Sequence, residues 1–132
     1  MTTITLVPEP DRMNFLPKLF GQHYLDGENY VYTLMGRFCP EYKGGYWRFF
    51  QGENFMFMVV NTTMKNFKME ISSNGFEGYV SPEAAGIIVV MYALNILISE
   101  VEDNEDLIDH YYSLREYALD HGEGVKILRA ID

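Results

Sequence analysis

The hydrophobic pattern changes period twice along the chain. In "DRMNFLPKLFG", residues 11 to 21, apolar positions recur at helical spacing behind Asp11, a good N-cap type, and Pro17 falls in the middle. This predicts two short helical pieces, the second closed by Gly21. From His23 to Phe38, the residues Tyr24, Tyr30, Val31, Leu34, Met35 and Phe38 keep mostly helical spacings, predicting an amphipathic helix that ends at Pro40. The period then shortens. "GGYWRFF", "NFMFMVVN" and "NFKMEIS" read as strands over about 46–51, 55–61 and 66–72, paired as an antiparallel meander. Gln51-Gly52-Glu53-Asn54 suits a two-residue hairpin turn of type II′ with glycine first. The run Phe55 to Val60 is apolar on both faces, as in a central strand, whereas the third strand keeps one wet face.

Helical spacing returns at Ser81, whose hydroxyl is placed to cap; Pro82 takes the first helical position and Glu83 complements the dipole. Asn74-Gly75 and Gly78 supply turn conformations ahead of it. Ala84, Ala85 and Gly86 permit close approach to a sheet, and the run that follows is hydrophobic all round, so the helix should be enclosed by protein. Asn95 would then be a buried polar group in need of partners. Another helix begins near Asp103 or Asn104, with Leu107, Tyr111, Leu114 and Ala118 on one stripe and Gly122 as its stop, and "EGVKILRAID" forms a short closing helix. The plan is α+β: a small antiparallel meander packed with N-terminal and C-terminal helices, in a single domain over 1–132.

Composition narrows the function. A chain of 132 residues that is 48% hydrophobic supports one core. Its net charge of -9 repels phosphate backbones, so direct nucleic-acid binding is not expected, and a protein or basic partner fits better. Cys39 is the only cysteine, which rules out an intramolecular disulfide and points to a small packed side chain. The N-terminus lacks a signal-peptide pattern, and the apolar window Ala84 to Ile98 is shorter than the roughly 20 residues of a membrane span, so a cytoplasmic location without membrane contact is expected.

Candidate chemistry is sparse. His23, His110, His121 and Cys39 show no local protease signature, and no catalytic residue is assigned. His121 is expected in the last turn of its helix, where a cation is favoured. "NGFEGYVSPE" lacks the lysine and Ser/Thr of a phosphate loop and puts Glu77 and Glu83 where an anion would sit. "SEVEDNEDLID" lacks the spacing of a calcium loop, so no metal or cofactor is implied. Its carboxylates Glu100, Glu102, Asp103, Glu105, Asp106 and Asp109 instead form a candidate patch for a basic protein surface. Arg129 and Asp132, near the end of the chain, are further accessible candidates.

Four stretches say more together than apart. "RMNFLPKLFG" (12–21), "YKGGYWRFF" (42–50), "NGFEGYVSPEAAGIIVVMYALN" (74–95) and the terminal "LRAID" resemble the ArdB/KlcA family of antirestriction proteins, in order and over nearly the full length. "GENFMFMVVN" departs from that family's glycine-rich hairpin, and Pro82-Glu83 stands where Ala-Asp is common. The resemblance implies a protein of plasmids, phages or other mobile DNA that protects incoming DNA from the type I restriction-modification enzymes of a bacterial host. It implies a non-enzymatic inhibitor whose partner is the restriction complex or an associated host protein, and it supplies no catalytic residues. The alternative is an acidic DNA mimic occupying the enzyme's DNA groove. A third reading, an enzyme acting through Cys39 or a histidine, has the least support.

Overall fold

The computed structural model describes residues 3–132, which form an α+β structure. A two-residue strand β1 (Thr5–Leu6) leads into α1 (Arg12–Phe20) and α2 (Tyr24–Phe38). Four strands follow, β2 (Trp47–Gln51), β3 (Met56–Val60), β4 (Phe67–Ile71) and β5 (Phe76–Val80), then α3 (Pro82–Glu100), α4 (Glu105–Leu119) and α5 (Gly124–Ile131).

The three expected strands lie where the alternation puts them, but they do not form one meander. β1, β2 and β3 make one antiparallel sheet in that order, and β4 pairs instead with β5, Phe67 opposite Val80 and Ile71 opposite Phe76. β5 was hidden because Gly75 and Gly78 read as a turn. Only Gly75 has a positive φ, 75°, and its N–H closes the turn on the Ile71 carbonyl at 3.0 Å. β4 therefore takes β5 as its partner across the four-residue turn 72–75.

Three local expectations also change. Pro17 does not divide α1, because the carbonyl its missing N–H leaves unpaired belongs to the exposed residue Met13, and Gly21 closes the helix by donating to the Pro17 carbonyl. Asp11 makes no side-chain cap there and belongs to a 3-10 turn, Glu9–Asp11, that leads into the helix. In the β2–β3 hairpin the Gly52 N–H donates to the Phe55 carbonyl at 2.8 Å, so Glu53 and Asn54 are the central residues. Neither has positive φ, which excludes type II′; Gly52 is small because a Cβ there would fall 2.2 Å from the Phe55 ring.

α3 is the axle of the core. Ser81 caps it, its hydroxyl accepting from the Ala84 N–H at 3.1 Å with Pro82 in the first turn. Eleven of its 19 residues are buried, from Ala84 through Leu97, because α2, β3, α4 and α5 all pack on it. By length and composition it could cross a membrane, yet its apolar surface is already covered by the protein's own elements. Asn95 differs from expectation: it lies on the exposed side of α3 and is not a buried polar group. α4 ends at Leu119, three residues before the expected stop at Gly122, where the Asp120 and His121 N–H groups turn back onto the Tyr117 and Ala118 carbonyls.

Gly86 sets how closely α3 approaches the sheet. A Cβ there would lie 1.9 Å from the Met58 carbonyl oxygen, a backbone atom that cannot rotate aside. Gly86→Ala is expected to lower stability by about 2–3 kcal/mol through overpacking. Gly36→Ala, at an exposed position of α2 with nothing within 4 Å of the new methyl, is expected to raise it by about 0.5–1 kcal/mol through helix propensity. Urea unfolding midpoints of the two variants should therefore move in opposite directions.

Candidate functional site

Charge is unevenly placed. Residues 100–123 hold nine carboxylates against one arginine, Arg115, and so carry eight of the nine net negative charges. They occupy the end of α3, the link after it, α4 and the turn into α5. All six acidic residues of the 100–109 block are exposed, and among the described residues none forms an ion pair. Glu100 accepts a hydrogen bond from the Tyr30 hydroxyl at 2.7 Å, which fastens the end of α3 to α2. The Asn104 amide donates to the Ile98 carbonyl at 2.8 Å and fixes the link. Glu105 and Asp106 then fill the first turn of α4, where the helix dipole favours them.

The block extends further than its sequence run. Glu105, Asp109, Glu116 and Asp120 lie four, seven and four residues apart, which aligns them on one helical stripe, and all are exposed. Tyr112 stands in the same stripe and is 62% exposed. The stripe is about 22 Å long at 1.5 Å per residue. Near its C-terminal end lies an open cleft of about 520 Å³, between α4 and the β2–β3 turn. Glu53, Glu116 and Asp120 line it, and the Phe55 and Tyr117 rings, stacked at 4.3 Å, form its apolar wall. Glu116, Asp120 and Glu53 escaped sequence reasoning because they stand alone in the linear chain; the helical period reveals the first two and only the fold adds the third.

Arg129 and Asp132 are exposed at the end of α5, with no ion pair to the acidic stripe among the described residues. Asn74, in the β4–β5 turn, caps that end. Its amide donates to the Ala130 carbonyl at 2.6 Å, and the Tyr92 hydroxyl donates to the same oxygen at 2.7 Å.

The histidines serve packing corners. His110 Nδ1 donates to the Leu19 carbonyl at 2.9 Å, linking α4 to α1. His121 lies beyond the end of α4, not in its last turn, and bridges to the start of α3. Its Nε2 donates to Glu83 at 2.5 Å and its Nδ1 accepts from the Glu123 N–H at 2.9 Å, a pair of bonds the neutral ring protonated on Nε2 satisfies together. Glu123 in turn accepts from the Ser81 N–H at 2.9 Å and from the Ser81 hydroxyl. The residues that cap α3 thus also bind the α4–α5 turn, a link invisible in sequence because about 40 residues separate the partners. Cys39 is fully buried, and its thiol is pushed up to about 12, first by burial and then by the Glu41 carboxylate. Among the described residues no three His, Cys, Asp or Glu side chains converge as metal ligands would.

With this geometry in view, the likenesses to known proteins acquire a physical basis. A family described as antirestriction protein matches residues 40–132. The Escherichia coli antirestriction protein KlcA is 40% identical over 97% of this chain and 92% of its own length. The chain belongs to the antirestriction protein family. A putative antirestriction protein of E. coli K12, YubI, is 35% identical over 86% of the chain and 80% of its own length. A solved structure from work on KlcA and ArdB superposes with a TM-score of 0.88 at 37% identity, covering 99% of this chain and 95% of that one. That work describes a novel fold, with antirestriction activity against type I DNA restriction systems in vivo but not in vitro.

The stretches that resemble the antirestriction family are joined in space. Arg12 of the first donates to the Trp47 carbonyl of the second at 2.9 Å, and Phe15 stacks on Phe49 at 4.3 Å. Asn74 of the third holds Ala130 of the last. These contacts build the fold and leave the acidic face free. Burial of Cys39 has a direct chemical consequence: the folded protein should resist a disulfide-exchange reagent at pH 8, where its thiolate fraction is very small, and react promptly in denaturant, where the ordinary thiol range is restored. Colorimetric thiol titration with and without urea measures both states.

Proposed function

We propose that this protein lowers type I restriction of incoming DNA by non-catalytic contact with a host protein, and that the exposed face of α4 is the contact surface. The observation that carries the reading is the segregation of eight net negative charges onto residues 100–123, in a chain whose family is antirestriction. Unpaired carboxylates around an exposed tyrosine suit a basic protein surface, where complementarity speeds encounter and fixes register. The activity of the relatives in vivo but not in vitro supports a requirement for a component of the living host. That component is either an associated protein or a state of the restriction complex found only in the cell. The acidic block from Glu100 to Asp109 and the outer carboxylates Glu116 and Asp120 belong to one surface in this reading, and the exposed Arg129 and Asp132 at the end of α5 are further candidates for contact.

The DNA-mimic reading draws on the same charge. Four carboxylates over about 22 Å give one charge per about 7 Å, against one per 3.4 Å for each DNA strand. That is about half the density of a single strand, and Tyr112 interrupts it, so the stripe resembles a protein-docking face more than a duplex.

Efficiency of plating of unmodified phage on a type I restricting host tests the function. Cells making the protein should plate the phage better than cells without it; equal plating at good expression would sink the reading. The combined variant Glu105→Gln, Asp109→Asn, Glu116→Gln, Asp120→Asn should fold normally and lose protection by about tenfold or more. Full protection by that variant would dismiss α4 as the contact surface while leaving the antirestriction activity standing.

A further inference from the structure

The cleft at the C-terminal end of the acidic stripe combines an aromatic wall with a rim of one charge. Phe55 and Tyr117 stack at 4.3 Å, and Phe57 lies nearly parallel to both, 6.2 Å from Phe55 and 5.7 Å from Tyr117. Phe57 is fully buried and Phe55 nearly so, which fixes the plane of the wall, while Tyr117 is half-buried and lines the cleft. The rim is Glu53 from the β2–β3 turn with Glu116 and Asp120 from α4, all exposed. The bond from the Gly52 N–H to the Phe55 carbonyl at 2.8 Å closes that turn and holds Glu53 at its tip. Among the described residues no lysine, arginine or histidine lines the cleft, and none of its three carboxylates takes part in an ion pair.

The rim selects a cation, and the shape of the cleft selects its kind. Among the described residues no three carboxylates converge as the ligands of one metal ion would. Glu53 stands across from Glu116 and Asp120, on a different element, and the cavity they line holds about 520 Å³, within the size range of ligand-binding clefts. A compact ion would leave most of that space to water. A planar cation uses it better, because its face packs on an aromatic ring while the N–H groups around its edge reach carboxylates on more than one side. The guanidinium of arginine has that geometry, whereas the ammonium of lysine is a strongly hydrated point charge.

We propose that this cleft receives an arginine side chain of the protein partner, laid against the aromatic wall and paired with Glu53 and a carboxylate of α4. The proposal rests on the reading of α4 as the contact surface and names the side chain that surface recognises. It also assigns a binding role to Glu53, which lies off α4 and can be changed without touching the stripe.

The test uses the purified, isotope-labelled full chain and two probes of nearly equal size, N-acetyl-arginine amide and its neutral citrulline counterpart, followed by two-dimensional NMR. The arginine probe should shift the amide signals of Glu53, Phe55 and Tyr117 saturably, at concentrations about tenfold below those citrulline needs, and should bind more tightly than the lysine counterpart. Glu53→Gln should weaken the arginine probe by about threefold. Asp26→Asn, which removes the same charge from an exposed position on α2, should leave the affinity unchanged. The same spectra identify variants that keep the native fold. In the plating assay Glu53→Gln should lower protection by about threefold. No saturable binding, equal affinity for arginine and either counterpart, unchanged affinity in Glu53→Gln, or full protection by that variant would each overturn the proposal. The two readings fail separately: full protection by Glu53→Gln beside loss in the combined α4 variant overturns the cleft alone, and equal plating with and without the protein overturns the function while the probe affinities are still read on the purified chain.

Discussion

The structure depends on the approach of one helix backbone to one strand backbone, at Gly86 over Met58. A helix this apolar buries most of its length, so α2, β3, α4 and α5 all pack on it and only the side that carries Asn95 meets water. Removing the side chain at Gly86 lets the helix settle against the Met58 carbonyl, and Ala84 and Ala85 before it keep that end slim. Beyond the small-residue start, Ile87 to Met91 spread into the gaps left by the sheet, α2 and α4. The hydrophobic energy comes from the large residues, but the small ones determine where it can be collected.

Because α3 must be enclosed, its ends become the places where polar chemistry concentrates. At its start, Ser81 and Glu83 would ordinarily complete a cap and no more. Here the same two residues engage Glu123 and His121, so the helix N-terminus also anchors the turn between α4 and α5. At the other end, Glu100 accepts from Tyr30 and Asn104 reaches the Ile98 carbonyl. α4 is consequently held at both ends against the core, with Leu107, Leu114 and Ala118 buried on one side. Its opposite side is free to carry charge, which explains how so many carboxylates coexist with a single arginine, Arg115: those on the outer stripe remain in water, where repulsion is screened.

Much of this was legible from residue order. Period placed α2 and α4, period together with cap chemistry placed α3, and alternation placed β2, β3 and β4. The small residues at 84–86 announced a close approach. What failed were inferences that turn on context. Pro17 is tolerated because its cost falls on a carbonyl open to water, a property of the fold rather than of the dipeptide. β5 was concealed by two glycines, of which only Gly75 needs its conformational freedom. Asn95 appeared buried because its neighbours are apolar, yet the exposed side of α3 is where it projects. The candidate surface was half visible: the block at 100–109 is continuous in sequence, while Glu116 and Asp120 join it only once residues are counted around the helix.

The division between fold and surface also constrains what family likeness can mean. Arg12 with Trp47, Phe15 with Phe49, and Asn74 with Ala130 bring the family-like stretches into mutual contact, and Gly86 sits inside the longest of them. Stretches that hold one another in place are occupied structurally, and a partner would have to compete with the core to reach them. A binding surface on this scaffold must therefore lie outside them or on their exposed borders. The outer face of α4 satisfies the first condition, since its acidic residues fall between the third stretch, which ends at Asn95, and the last, which begins at Leu128. Tyr92 and Phe76 lie on such a border, since both belong to the longest stretch and are half-buried. A scaffold organised in this way leaves the exposed carboxylates of α4 open to substitution without disturbing the contact between Gly86 and Met58.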